Sequence, residues 1–453
     1  MNLMVKGPKN GARRSDLSSR RSGAGREIKA GDAHTVRTAA DVLAGRGPSR
    51  RLSRLLPFLG PAFVACVAYI DPGNIATNVQ GGARYGYMLL WVIVASNLTA
   101  MLLQSLSAKL GIATGMNLAE HCRRAFPRPV ALALWAIMET VAMATDLAEF
   151  LGAVLGFNLL LGIPLWVGGL LTAAATFLIL GLERQGFRPI EAVITVLVGV
   201  VAVAYLVETF LDRPDWGQVA IGAFVPRFAG AESVLLASGI LGATVMPHAI
   251  FLHSALTQGR IVTRDPGQLR RLFRFELWDV VIAMSLAGLI NAAMLIMAAS
   301  TFFSQGLKHV ATIQEAYRTL EPLLGRSASG AFAIALLASG LSSATVGTMA
   351  GQVIMQGFLR RRIPVWLRRL VTMAPSLVVI AIGLDPTRTL VISQVILSFG
   401  LPFAIIPLIL FTRREDLMGV LVNRRATTIA AIVAAAGVLG LNVFLIVQTF
   451  SGR

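Results

Sequence analysis

Eleven apolar stretches follow one another along this chain, each long enough to cross a bilayer. They run 56–82, 87–110, 130–157, 163–182, 189–211, 232–257, 277–303, 328–357, 364–384, 388–411 and 427–449. Lipid offers no hydrogen bonds, so such stretches must satisfy their own backbone and therefore fold as helices. Apolar residues make up 55% of the chain, charged residues only 14%, and mean hydropathy is +0.70. A soluble domain with one anchor is excluded. The expected fold class is an all-α polytopic membrane protein with 11 transmembrane helices.

A net charge of +18 could suggest a nucleic-acid partner, but its placement argues otherwise. Thirteen of the 41 Lys and Arg lie in the first 56 residues, and most others lie in short links between apolar runs. With the N-terminus cytoplasmic, the inside links carry 20 basic residues and the outside holds 8. The positive-inside rule therefore supports eleven spans, N-terminus in and C-terminus out. Residues 1–55, rich in Gly, Ser, Arg and Ala without apolar periodicity, are expected to form a disordered basic cytoplasmic tail beside anionic lipid. They lack the apolar core of a secretory signal. The two cysteines, Cys66 in the first span and Cys122 in a basic loop, imply neither a disulfide framework nor a Cys-based metal site.

Two of the spans are broken in the middle. The first contains Asp71-Pro72-Gly73-Asn74. Proline cannot continue a regular helix, and glycine tolerates the dihedrals of an unwound turn. An intramembrane Asp is costly, so it points to function, and freed carbonyls must face protein, water or an ion. The bland reading is a kink with a snorkelling Asp, but Asp71 lies deep in the run. The sixth span is broken at Pro247, with Gly242 one turn earlier. Five spans separate the breaks, so segments 1–5 and 6–10 would run in opposite orientation. Paired interrupted helices in two inverted halves point to a secondary transporter with a midplane site. The halves are 56–231 and 232–412, leaving 413–453 as an extra C-terminal helix. Asp71 and Asn74 supply hard oxygen and Met246 a thioether. That sulfur shifts preference from Mg²⁺ and Ca²⁺ toward Mn²⁺, Fe²⁺, Co²⁺ and Cd²⁺. A lone buried methionine is usually core filler; its place at a break facing an acidic break favours the ligand.

Segment three carries Glu139, Asp146 and Glu149 at spacings that set them on one helical face. They could form a proton wire, or neutralise Arg368 and Arg369 at the start of segment nine, or both. His248 follows the Pro break and could ligate metal, relay protons or bond unwound backbone. His253 reads as a structural polar group or a gating contact. Asn291 in the seventh span reads as a helix–helix hydrogen bond or a gate.

Asp71-Pro72-Gly73-Asn74 together with Met246-Pro247-His248 resembles the signature pair of the Nramp family, the proton-coupled divalent-metal transporters whose bacterial members import manganese. Ala144-Thr-Asp-Leu-Ala-Glu149, the stretch from Gln104 to Asn117, Ser393-Gln394-Val395 and Leu401-Pro402-Phe403 agree with it. The resemblance covers residues 55–450. It implies a LeuT-like 5+5 inverted repeat with discontinuous helices 1 and 6. It implies metal ligation by the side chains of Asp71, Asn74 and Met246. The Ala243 carbonyl would join in one conformation, and the Ala68 carbonyl or Gln394 in another. It places Asp146 and Glu149 on a proton route from Asp71 to the cytoplasm, with Arg368 and Arg369 nearby.

The expected function is proton-coupled import of Mn²⁺ and similar ions by alternating access in a bacterial inner membrane. Alternatives are a Mg²⁺ transporter of the same family, which the retained Met246 disfavours, or an organic-solute or sodium symporter of similar fold. No His-Glu-x-x-His or comparable cluster supports an enzyme. The expected partners are divalent ions, protons and the lipid bilayer. Nothing calls for a resident cofactor, nucleic acid or an obligate protein partner.

Overall fold

The computed structural model describes residues 30–46, 51–181, 187–263, 265–307, 312–361 and 363–451, and these are helical apart from turns and links. Residues 1–29 of the expected tail lie outside the described residues. The helices used below are α1 (Ala30–Leu43), α2 (Pro61–Val67), α3 (Pro72–Tyr85), α4 (Leu90–Thr114), α5 (Leu118–Ala125), α6 (Arg128–Leu161), α7 (Leu165–Gly181), α8 (Phe187–Asp212), α9 (Trp216–Phe224), α10 (Ala231–Thr244), α11 (Pro247–Thr257), α12 (Pro266–Ala298), α13 (Ile313–Leu324), α14 (Arg326–Leu359), α15 (Val365–Ile382), α16 (Pro386–Thr412) and α17 (Arg425–Ser451).

Among the described residues, eight stretches are long and apolar enough to cross a membrane. One of them, Pro72–Thr114, joins α3 to α4 through the short 3₁₀ turn Gly86–Leu89 and so takes in two expected segments. The other expected segments are helical but fall short of that mark. Helix α2 has 7 residues, α7 has 17, and α15 has 18 with Arg368 and Arg369 near its start.

The centre is built from the broken helices and their neighbours. Helices α2, α3, α10 and α11 are buried almost throughout. Helices α6 and α14, 34 residues each, pack along one another. Small residues allow it: a Cβ on Gly340 would fall 2.6 Å from the Ala153 nitrogen. The peripheral helices expose large apolar side chains, such as Leu170 in α7, Val371 in α15 and Val433 in α17. In water these would aggregate; facing lipid they cost nothing.

Two expectations need correction. The stretch 1–55 is not wholly a disordered tail: it contains α1 and a further helical turn at Arg51–Leu55. Ala39, Val42 and Leu43 sit at the i, i+3, i+4 spacing of a helix face and bury against Phe58 and Leu272. Arg271 donates to the last carbonyls of α1, at Leu43 (3.0 Å) and Val42 (3.3 Å). Three apolar residues among Gly, Ser and Arg were too few to stand out. Cys122, expected in a loop, is buried in α5. That helix starts at a capping box between Asn117 and Glu120.

Candidate metal-binding site between two broken helices

Helix α2 ends at Val67, and the chain unwinds before Asp71 caps α3. Asp71 Oδ1 accepts from the Asn74 backbone N–H and from Asn74 Nδ2, both at 2.8 Å. Pro72 is the first residue of α3, where its missing N–H costs nothing. The unwound carbonyls are not left bare. Asn291 Nδ2 donates to Tyr69 O at 2.7 Å, and Ser339 Oγ to Ile70 O at 2.7 Å. Asn291 also accepts from Asn78 Nδ2 at 2.9 Å, so it ties α12 to both sides of the break.

The second break lies alongside. Helix α10 ends at Thr244, Met246 sits at the N-cap of α11, and Pro247 opens it. Met246 is fully buried and supplies no capping hydrogen bond. Asn74 Nδ2 donates to Ala243 O at 3.0 Å, which joins the two breaks directly. Gln394 of α16 closes a third side. A Cβ on Gly73 would fall 1.9 Å from Gln394 Nε2, so only glycine lets the amide lie on this turn. Ala68, at the C-cap of α2, is buried at the start of the unwound segment.

Three buried oxygens here have no hydrogen-bond partner: Asp71 Oδ2, Asn74 Oδ1 and Gln394 Oε1. All three are acceptors, and a buried acceptor without a donor is costly. A cation answers that deficit. Among the described residues no three His, Cys, Asp or Glu side chains gather into a metal site. The donors at the two breaks are therefore one carboxylate, amide oxygens and the Met246 thioether, a set whose chemistry suits a borderline-soft divalent ion.

His248 is fully buried beside α6, with Nδ1 3.2 Å from Thr145 Oγ1 and Nε2 unpartnered. The acids of α6 divide into two kinds. Glu139 pairs with Arg368 at 2.7 Å and Asp146 with Arg369 at 2.9 Å. Glu149, fully buried, has both oxygens unpartnered. Gly347 of α14 makes room for it: a Cβ there would fall 2.5 Å from Glu149 Oε2 and 3.0 Å from Asp146 Oδ1.

A second polar line, missed by sequence reasoning apart from His253, runs on the side of α1. Gln104 is bonded to the Tyr69 hydroxyl and lies 2.8 Å from His253 Nδ1, whose Nε2 lies 3.1 Å from Glu276. One turn on, Asp279 Oδ2 accepts from the backbone N–H of Gly60 (3.2 Å) and Ala62 (2.9 Å). It caps α2 from a residue more than two hundred positions away. Glu276 and Asp279 in an apolar run were a usable signal, as was Glu208 in α8.

Comparison with known proteins agrees with this geometry. Residues 62–448 match the family described as natural resistance-associated macrophage protein-like, Nramp. The divalent metal cation transporter MntH of Deinococcus radiodurans is 54% identical over 419 residues, covering 92% of this chain and 96% of that protein. The protein of the same description from Bacillus subtilis is 53% identical over 404 residues, covering 89% and 95%. The crystal structure of the Eremococcus coleocola manganese transporter superposes with a TM-score of 0.80 at 36% identity, over 89% of this chain and 90% of that one. The nucleobase-cation-symport-1 family transporter Mhp1 superposes at 0.56 with 15% identity, over 86% and 89%, a likeness of fold alone.

Proposed function

This chain belongs to the Nramp family, and from that premise we propose that it moves divalent transition-metal ions, Mn²⁺ foremost, inward across a bacterial inner membrane together with protons. The observation that carries the site is the meeting of two helix breaks around unpartnered oxygens of Asp71, Asn74 and Gln394, with Met246 at the second break. Asp71 would supply charge, Asn74 oxygen and Met246 preference for softer ions. The Ala243 carbonyl, held here by Asn74, would join in one conformation, and the Ala68 carbonyl or Gln394 in another.

The fold reading is finer than a multi-span helical protein. We read eleven spans in a 5+5 inverted repeat, α2–α8 against α10–α16, with α17 added. Three observations support it: the matched breaks, the equal lengths of α6 and α14 in corresponding positions, and the likeness of fold to Mhp1. The basic-residue asymmetry supports the N-terminus in and the C-terminus out. Alternating access would then swing the short half-helices α2 and α10 against their fixed partners. The inside-negative potential adds about 2.3 kcal/mol per charge per 100 mV, which favours divalent uptake before any proton is counted.

For protons, Glu149 is the group we assign as carrier. It is the α6 acid without a cation partner, whereas Glu139 and Asp146 are held by Arg368 and Arg369. His248, between α6 and the second break, would pass protons from the region of Asp71.

The test is flux into proteoliposomes of Mn²⁺, Fe²⁺, Cd²⁺, Mg²⁺ and Ca²⁺, read beside an internal pH dye. Mn²⁺ or Cd²⁺ uptake with acidification is expected, and Asp71→Ala should abolish it. Met246→Ala should keep part of the Mn²⁺ flux while admitting Ca²⁺ or Mg²⁺. Uptake unchanged in Asp71→Ala would overturn the site. Mg²⁺ flux equal to Mn²⁺ in the unaltered protein would overturn the thioether's selecting role.

A further inference from the structure

We propose a second cation site on the face opposite α1, formed by Glu208 and Asp212 of α8 with Ser300 and Thr301, which takes a hard divalent ion of the Ca²⁺ or Mg²⁺ kind as well as Mn²⁺. That this face is external rests on the topology proposed above.

Glu208 is fully buried within the apolar run of α8, and among the described residues neither of its carboxyl oxygens has a hydrogen-bond partner. No part of the transport mechanism uses it. A carboxyl in that position is expensive, and leaving both oxygens bare adds to the cost. One turn along the same helix face stands Asp212. Asp212 Oδ1 accepts from Thr301 Oγ1 at 2.7 Å, and its Oδ2 lies 3.3 Å from Ser300 Oγ.

The two hydroxyls come from an unusual turn. Helix α12 continues at Ala299–Phe303 as a single π turn. Such widened turns are frequent at functional sites. Ser300 has nearer acceptors for its one hydrogen, Ile296 O at 2.8 Å and Met297 O at 3.1 Å. It is thus only a weak and shared donor to Asp212 Oδ2, and its oxygen keeps lone pairs that a cation could use.

The site has an approach. A cavity of about 570 Å³ opens on this face, walled by Asp212, Asp215, Tyr87, Ser300, Ser304 and Gln305 among others, with Arg213 and Arg227 also on its wall. Asp212 and Ser300 are on that wall, and Glu208, fully buried, is one helical turn before Asp212 in α8. An ion seated between them would take two carboxylates and two hydroxyls from the protein, with waters from the cavity completing the shell. An all-oxygen set of this kind holds Ca²⁺, Mg²⁺ and Mn²⁺ without strong preference for the last. It would also tie α8 to the end of α12, bracing the outer ends of both halves of the molecule.

The experiment counts Mn²⁺ per chain on purified full-length protein by electron paramagnetic resonance. The transport site is removed by Asp71→Ala. The expected result is one remaining Mn²⁺ per chain, displaced by excess Ca²⁺, and weakened at least about tenfold by adding Glu208→Gln and Asp212→Asn, as loss of both ligand charges requires. Ser300→Ala, which removes one hydroxyl and leaves both carboxylates, should weaken it less and guards against a folding defect in the charge variants. No Mn²⁺ on Asp71→Ala protein at millimolar metal would overturn the proposal. So would a residual Mn²⁺ that survives in the Glu208→Gln, Asp212→Asn background. If instead Asp71→Ala binds as much as the unaltered protein, the transport-site reading fails while this one is still decided by the α8 variants.

Discussion

Two buried polar networks flank the broken helices, and they are built on opposite plans. The one between α6 and α15 pairs acid with base: Glu139 with Arg368, Asp146 with Arg369, and Glu149 left over. The one among α2, α4, α11 and α12 runs through neutral groups and acids, from Tyr69 through Gln104 and His253 to Glu276. Asp279 then caps the half-helix α2 through backbone N–H groups. The first network is set on α6, a helix of 34 residues that packs along α14. The second holds both ends of a helix of 7 residues, which has too few turns to be stable unless something grips it. The contrast separates two jobs in our reading: moving a proton where the scaffold stays still, and releasing a half-helix where it must move.

The strongest way to break that division is Glu149→Gln. The change is nearly isosteric and removes only the ability to ionise. The rate of acidification accompanying Mn²⁺ entry should fall on the order of 100-fold, the low end of what a positioned proton-transfer group contributes to a rate. Mn²⁺ flux driven by membrane potential should persist at a reduced rate. Acidification at the unaltered level would mean that Glu149 is packing, and that the paired acids carry the proton. Gly347→Ala should mimic part of the loss, because its Cβ would press on the same carboxyl.

Asp279→Ala tests the other network. It takes away an acceptor shared by two N–H groups at the start of α2, a loss of about 1–2 kcal/mol by the measure of helix N-caps. That is roughly a five- to thirtyfold shift toward the state in which α2 has swung away. Cys66 reports it without any probe being inserted, since it lies in α2 and is 1% exposed. In a Cys122→Ser background, a thiol reagent applied from the α1 side should modify Cys66 faster by that factor. Acidification per Mn²⁺ should not change. Faster labelling with altered proton coupling would merge the two networks into one.

What the sequence disclosed follows from where each network's signal resides. The helix breaks were readable because Asp, Pro and Gly are costly in an apolar run, and each cost is local. The α6 stripe was readable because Glu139, Asp146 and Glu149 repeat with the helix. Which of the three stands unpaired was not, since that depends on how α15 meets α6. Asp279 could not be assigned from sequence: its partners are backbone groups of Gly60 and Ala62, which carry no side-chain signal. The long joined stretch of α3 and α4 hid a boundary because the Gly86–Leu89 turn is as apolar as the helices it links.

The smallest expected effect comes from α1, which extends the second network beyond the membrane helices. Leu43 and Val42 pack on Phe58, just ahead of α2, and Phe58 stacks on Phe275 of α12 with ring centres 4.3 Å apart. Arg271 fixes the end of α1 by two hydrogen bonds to carbonyls. For α2 to swing, Phe58 has to leave this cluster or drag α1 with it. Leu43→Asp places a charge in the cluster and should free α1 from Phe58. Because the cluster that holds α1 reaches toward α2 through Phe58, about 1 kcal/mol or less is expected at the half-helix, and Cys66 labelling should rise by no more than about fivefold. Combined with Asp279→Ala, the two effects should fall short of multiplying if both act on the same closed state of α2. Full multiplication would show that α1 acts independently of the Asp279 cap, and the second network would then end at the membrane surface.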